Sequence, residues 1–240
     1  MLRSRFSRFV AVHLLFASLT GSGCGESSPM GSGDSKFRPN PNGFKFANSF
    51  SNTDPTPGPT MGVEEMRRFF GDQVCGSMNG GCVLTPAAKE WLDAQNKQLY
   101  EGLCEGFAVL ANLLYVGANG MKPADFQPGA ATTYDLEVAG NGRLQRELAY
   151  WYTSQILFQR PAGLTPSELG AQLLSALRQP ASADLPTLAF FKKDGKGGHA
   201  MNAHSISSTA DGYSVKIYDN NYPNEEKTLE ISIAIKYAAR

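Results

Sequence analysis

A chain of 240 residues with 42% hydrophobic and 18% charged side chains carries enough apolar material for one domain with a real core. Its 22 basic and 22 acidic residues cancel, and no basic cluster stands in the body of the chain, which excludes nucleic-acid binding driven by electrostatics. Beyond the N-terminus no apolar run is long enough to span a bilayer.

The chain opens with the basic stretch MLRSRFSR, continues through the apolar FVAVHLLFASL and reaches the small, polar TGSGC. Basic, apolar and small-residue regions in that order read as a secretory signal peptide over residues 1–23. Its end resembles a bacterial lipobox, in which lipid is attached to the cysteine after cleavage. Gly23 before Cys24 fits that pattern, whereas Gly21 stands where such segments usually carry Leu. The expectation is an exported protein of the cell envelope, lipid-anchored through Cys24 to a bacterial membrane. Cleavage without lipid, and hence secretion, is the alternative. Residues 24–60 are rich in Gly, Ser, Pro and Asn and predict a flexible tether. Phe37, Phe44, Phe46 and Phe50 are its candidates for docking on a folded domain over residues 61–240.

Export places the four cysteines, Cys24, Cys75, Cys82 and Cys104, where disulfides persist. Cys75 and Cys82 flank GSMNGG, whose small, turn-forming residues bring two sulfurs together easily. With Cys24 lipidated and Cys75 joined to Cys82, Cys104 is an odd free thiol of the kind that signals reactivity. A bridge from Cys75 or Cys82 to Cys104 is the alternative pairing.

GVEEMRRFFG predicts a short helix, and TPAAKEWLDAQNKQLYEG a second one with Thr85 as N-cap and Pro86 at its first position. Gly102 breaks that helix, and another starts near Cys104, with Phe107, Leu110, Ala111 and Leu114 spaced along one buried face. GRLQRELAYWYTSQILFQ predicts a long helix with Leu144 and Leu148 on its apolar stripe. Thr165-Pro166-Ser167-Glu168 is a capping box opening the next. After Pro186 the pattern changes: TLAFFKK, HAMNAHSIS, YSVKIYD and TLEISIAIK are strand-like, with a hairpin turn centred on Asp211-Gly212. Helices followed by an antiparallel sheet predict an α+β fold.

His199 and His204, the two histidines beyond the leader, both lie in GKGGHAMNAHSI. Their separation is odd, so on a regular strand they face opposite sides and only one faces a shared site. His199 follows Gly197-Gly198, which permit close backbone approach; His204 is expected mid-strand, packed or exposed. Folding about Asp211-Gly212 brings His199 and Asp219 to the same open end of the hairpin. There Asp219, Asn220 or Asn221 of YDNNYP can accept from the imidazole. A cysteine nucleophile needs a base, the base needs an orienting acceptor, and a helix N-terminus favours the thiolate. Cys104, His199 and one of Asp219, Asn220 or Asn221 supply those three parts.

A cysteine opening a helix, a distant Gly-His-Ala strand and an acidic or amide residue at the end of the returning strand resemble the papain-like cysteine peptidase superfamily, over roughly residues 95–235. GGHA followed by YDNNYP also resembles its bacteriocin-processing type. The resemblance implies an N-terminal helical lobe whose nucleophile helix packs on a C-terminal antiparallel sheet. It implies hydrolysis of peptide or other amide bonds, with Cys104 as nucleophile, His199 as base, and Asp219, Asn220 or Asn221 as orienting residue. In the family a Gln before the nucleophile donates to the oxyanion; Gln98 stands at the family spacing, with Asn96 as a nearby alternative. Glu105 and Gly106 depart from the aromatic residue that follows the cysteine in papains, and Glu105 places a charge beside the thiol. A transglutaminase-like acyl transferase also uses Cys, His and Asp, but its histidine follows the cysteine sooner. A non-catalytic binding module on the same fold is a further alternative. The sequence offers neither a metal-ligand spacing nor a phosphate-binding glycine loop, so no cofactor and no nucleic-acid partner are expected, only a peptide or protein substrate and the membrane.

Overall fold

The computed structural model describes residues 14–17, 30–49, 59–157, 163–179, 185–192 and 197–233. Along most of the chain the main helices and the antiparallel strands are segregated, as in an α+β protein. After a short strand β1 (Leu14–Ala17), β2 (Ser32–Asp34) and a single turn α1 (Pro39–Asn42) come α2 (Val63–Phe70), the two-stranded β3 (Cys75–Ser77) and β4 (Val83–Leu84), α3 (Pro86–Gln98), α4 (Cys104–Val116), α5 (Gly142–Leu157) and α6 (Pro166–Leu177). The sheet is completed by β5 (Thr187–Phe191), β6 (Gly198–Thr209), β7 (Gly212–Tyr218) and β8 (Glu226–Ser232).

The helix signals act as the sequence predicts. Thr85 caps α3 by accepting from the Ala88 amide, and Pro86 occupies a position whose amide has no helical partner anyway. Thr165 and Glu168 exchange hydrogen bonds as a capping box at α6. Helix α4 differs from its expected single stripe: every residue from Glu105 to Leu114 is buried. A helix apolar on all sides is a central one, and α5 closes on it from one side. At that crossing Gly106 leaves no room for a side chain, since a Cβ there would lie 2.1 Å from the Leu148 carbonyl oxygen.

Strands β5, β6, β7 and β8 pair antiparallel in sequence order. Strand β1, inside the apolar stretch read as a leader, pairs parallel with β5, and β2 pairs antiparallel with the far half of β6. Side-chain alternation splits the sheet into two faces. Ala189, Ala200 and Asn202 meet α4, while Tyr213 meets α6 so closely that Gly170 has no space for a Cβ. The core therefore has three layers, with the sheet between α4 and α6. The hairpin turn differs by one residue from expectation: Thr209 pairs with Gly212, which leaves Ala210 and Asp211 as the loop.

The tether expected over residues 24–60 is overturned for residues 30–49. That segment packs along the domain as a strap, with Phe37 and Phe44 fully buried and Phe46 partly so. Phe44 and Phe46 stack edge-on against Phe107 of α4, and the Tyr218 hydroxyl accepts from the Phe44 amide at 3.0 Å. Burying each such aromatic contributes about 2–3 kcal/mol, enough to hold a polar, Gly- and Pro-rich segment in place. Cys24 and Phe50 lie outside the described residues. Cys75 and Cys82 form a disulfide with Cα atoms 5.2 Å apart, and Cys104 is a free thiol. Among the described residues no helix is long and apolar enough to cross a membrane.

Candidate active site

Helix α4 begins at Cys104 because Leu103, just before it, leaves helical dihedrals at φ −119°, ψ 30°. The thiol-bearing residue is partly buried against the cluster of Ala108, Ala189 and Ala200. Three alanines at this contact let the start of the helix come close to β5 and β6. The Leu103 amide, one of the donors a helix start leaves without an intrahelical acceptor, is taken by the Asn48 side-chain oxygen at 2.6 Å.

His199 enters β6 directly after Gly197 and Gly198. Gly197 adopts φ +84°, and a Cβ on Gly198 would lie 2.5 Å from the Phe190 carbonyl oxygen. The glycine pair thus makes the tight entry that sets His199 opposite Phe190 of β5. On the other side of β6, β7 ends with Tyr218 paired to Asn202, so the next residue, Asp219, lies beside the free start of β6. Asp219 Oδ1 is 2.7 Å from His199 Nε2 and also accepts from the Asn221 amide at 3.0 Å. Cys104 lies close enough to the same imidazole to raise its basicity alongside Asp219. The structure therefore brings Cys104, His199 and Asp219 into one chain of contacts.

Burial by itself would lower the basicity of His199, but the hydrogen bonds and negative charge of Asp219 and Cys104 outweigh it and raise the imidazole to about 9. Burial would likewise raise the Asp219 carboxyl. The His199 hydrogen bond and the Asn221 amide overcome it and hold the carboxyl below its usual range. The two shifts agree in sign: each partner favours the charged form of the other.

Asn220 and Asn221 do not face the imidazole. Asn220 is fully buried, and its side-chain amide donates to the carbonyls of Cys104 at 3.1 Å and Ala200 at 2.8 Å. The Asn221 side-chain oxygen accepts from Asn48 at 3.4 Å. Asp219 is thus the residue of YDNNYP that holds the histidine. Asn96 is committed elsewhere, since its side chain pairs with both the amide and the carbonyl of Met61. Gln98 is exposed at the last residue of α3. Glu105 is buried in the first turn of α4, and adjacent helix positions do not face each other, so sequence adjacency alone does not set its carboxylate on the thiol.

His204 takes no part in the cluster. It is the extra residue of a β-bulge, because the pairing of β6 with β7 shifts register between Ala203 and Ser205. Residues that sequence reasoning did not assign to the site are Asn48, which lies in the strap, and Asn202, whose amide donates to the Ala108 carbonyl at 2.7 Å. The signal available for Asn48 was the set of phenylalanines around it in an otherwise polar segment. Among the described residues no cluster of three or more His, Cys, Asp or Glu side chains is placed to hold a metal.

The fold and the cluster together define an α+β protein with a thiol, an imidazole and a carboxylate in series. No protein-family model matches this chain, and neither a curated protein nor a solved structure does.

Proposed function

We propose that the protein is a papain-like thiol hydrolase that cleaves peptide or other amide bonds at Cys104, His199 and Asp219, as an exported protein anchored by lipid at Cys24. The observation that carries this reading is His199, whose Nε2 is 2.7 Å from Asp219 Oδ1 while Cys104, at the start of α4, is near enough to raise the basicity of the same ring. In such a pair the reactive form is a thiolate beside an imidazolium. The thiolate attacks the carbonyl carbon of the amide, and the imidazolium gives its proton to the leaving amine. Water, deprotonated by the now neutral imidazole, then releases the acyl group from sulfur. Asp219 keeps the ring oriented and its charge balanced. The Cys104 backbone amide, at the start of α4, is the oxyanion donor in this scheme, and Gln98 is the side-chain donor that the papain-like spacing implies.

Alkylation of the full chain by iodoacetamide across pH tests the site. An ordinary cysteine with a pKa near 8.5 is only about 0.3% thiolate at pH 6. Cys104 is expected to label far faster than that at pH 6, and His199→Ala is expected to remove the excess. Labelling that follows the curve of a free thiol at every pH would sink the enzyme reading and leave a binding module. Added primary amine distinguishes acyl transfer of the transglutaminase type from hydrolysis, through capture of the acyl group as a new amide.

A further inference from the structure

The peptide groups flanking the three clustered residues are themselves tied together, and the ties come from two asparagines. Asn48 Oδ1 accepts from the amide of Leu103, the residue before Cys104, at 2.6 Å. The Asn48 amide donates to the Asn220 carbonyl at 2.8 Å. Asn220, next to Asp219, donates from its side chain to the carbonyl of Cys104 and to the carbonyl of Ala200, the residue after His199. A single path therefore runs from the peptide before Cys104, through the strap and the residue after Asp219, to the peptides at Cys104 and beside His199.

Each link bears on geometry rather than on bulk stability. Helix α4 and strand β6 meet here across small side chains, Ala108 against Ala189 and Ala200, which slide past one another with little steric resistance. Directional hydrogen bonds are what define the register at such a contact. Asn220 is fully buried, and its two donor bonds go to backbone of both elements. Asn48 is half-buried at the end of the described strap, so it adds little apolar packing of its own.

We propose that Asn48 and Asn220 form a clasp that positions the Cys104 thiol against the His199 imidazole. Through this clasp the peptides at Cys104 and beside His199 are tied to each other and to the strap. Without the Asn48 link Leu103 loses its acceptor, and the start of α4 is held to β6 by Asn220 and Asn202 alone, so the thiol is placed less firmly against the imidazole. Asn48 and Asn220 act through other residues and are positioning residues, not catalytic ones. The inference rests on the thiol-hydrolase reading given above.

The test is the pH profile of iodoacetamide labelling at Cys104 in the full chain, compared among the wild type, Asn48→Ala, Asn220→Ala and His199→Ala, with melting temperatures measured alongside. The expected result is that Asn48→Ala melts close to wild type yet labels roughly tenfold or more slowly at pH 6, a loss typical of displacing a reacting group by about an ångström. At pH 9, where an ordinary thiol is itself ionised, it should approach wild type. Asn220→Ala should give the same change in profile if it folds; if it does not, Asn48→Ala decides alone. A wild type that keeps its fast labelling at pH 6, with a folded Asn48→Ala that superimposes on it, overturns the clasp and leaves the hydrolase reading intact. A wild type with no fast labelling at pH 6 overturns the hydrolase reading, and the clasp with it.

Discussion

Strand β6 carries two histidines five positions apart, and they have opposite chemistry. His199, at the start of the strand, keeps 23% of its side chain exposed and has both Asp219 and Cys104 as partners. His204, in the bulge, is 1% exposed, and neither ring nitrogen has a hydrogen-bond partner. Its nearest opposite charge, Glu226, is 3.7 Å away, beyond hydrogen-bonding reach. Burial lowers the basicity of both rings. Where partners answer it, the ring rises to about 9; where none does, burial takes it down to about 4. The comparison teaches that burial sets the penalty for charge, while the neighbouring carboxylate and thiol decide whether charge persists. One strand thus holds a ring protonated at neutral pH and a ring that is neutral there.

The largest contrast should come from removing each ring in turn. His199→Ala is expected to lower turnover of an amide or thioester substrate by roughly 10²–10⁴-fold, the usual worth of a positioned acid–base group, with a folded protein by circular dichroism. His204→Leu should leave turnover per folded molecule unchanged. Equal losses in the two variants would erase the distinction.

Replacing the partner rather than the ring comes next. Asp219→Asn is expected to reduce turnover by roughly 10²-fold or more, because the amide fixes the ring less well and cannot balance its charge. It should also bring the alkaline limb of the pH–rate profile down from about 9 toward the ordinary histidine value of about 6.5. An unmoved limb would mean that Asp219 does not govern the proton on His199.

The stability curves should then diverge by sign. The folded-state basicity of His204 is depressed, so below about pH 6.5 the unfolded chain takes up a proton that the native chain refuses. Stability should fall as pH drops from about 6.5 to about 4, by about 3 kcal/mol in total, and urea melts of the wild type against His204→Leu isolate that share from the carboxylates. His199 has the reverse sign: its raised basicity contributes stability below about pH 6.5 that is lost as pH climbs through about 9. An acid-side slope identical in wild type and His204→Leu would count against the buried neutral ring.

The smallest effect is expected from Glu226→Gln. Glu226 is 42% exposed, so water screens its attraction to His204, and the melt at pH 5 should move by at most about 0.5 kcal/mol. A larger shift would assign Glu226 a direct hold on the ring.

Parts of this contrast were legible in the residues alone. The hairpin pattern places Asp219 beside His199 because pairing in an antiparallel ladder follows from turn position and alternation. The turn fell one residue from its expected centre, and the bulge at His204 added an extra residue; neither moved Asp219 away from His199. The bulge itself carries no sequence signature here, since Ala203-His204-Ser205 reads as ordinary strand. The strap was misread for a physical reason. Composition averages over residues 24–60 and registers flexibility, whereas Phe37 and Phe44 need only two pockets to pin the segment between them.

What the sequence by itself determined is local: the Thr85 and Thr165 caps, the loop that closes the Cys75–Cys82 disulfide, and the antiparallel run from β5 to β8. Each depends on residues close along the chain, where spacing and dihedral preference are decisive. Only the tertiary structure decided that the start of α4 meets the start of β6, that Asn220 ties Cys104 to Ala200, and that Asn48 reaches Leu103 from the strap. Those contacts join segments far apart in sequence, and they depend on how closely two backbones pack, at Gly106 against Leu148 and at Ala108 against Ala189 and Ala200. Side-chain volumes on both partners set that distance together, and no single stretch of the chain carries that information.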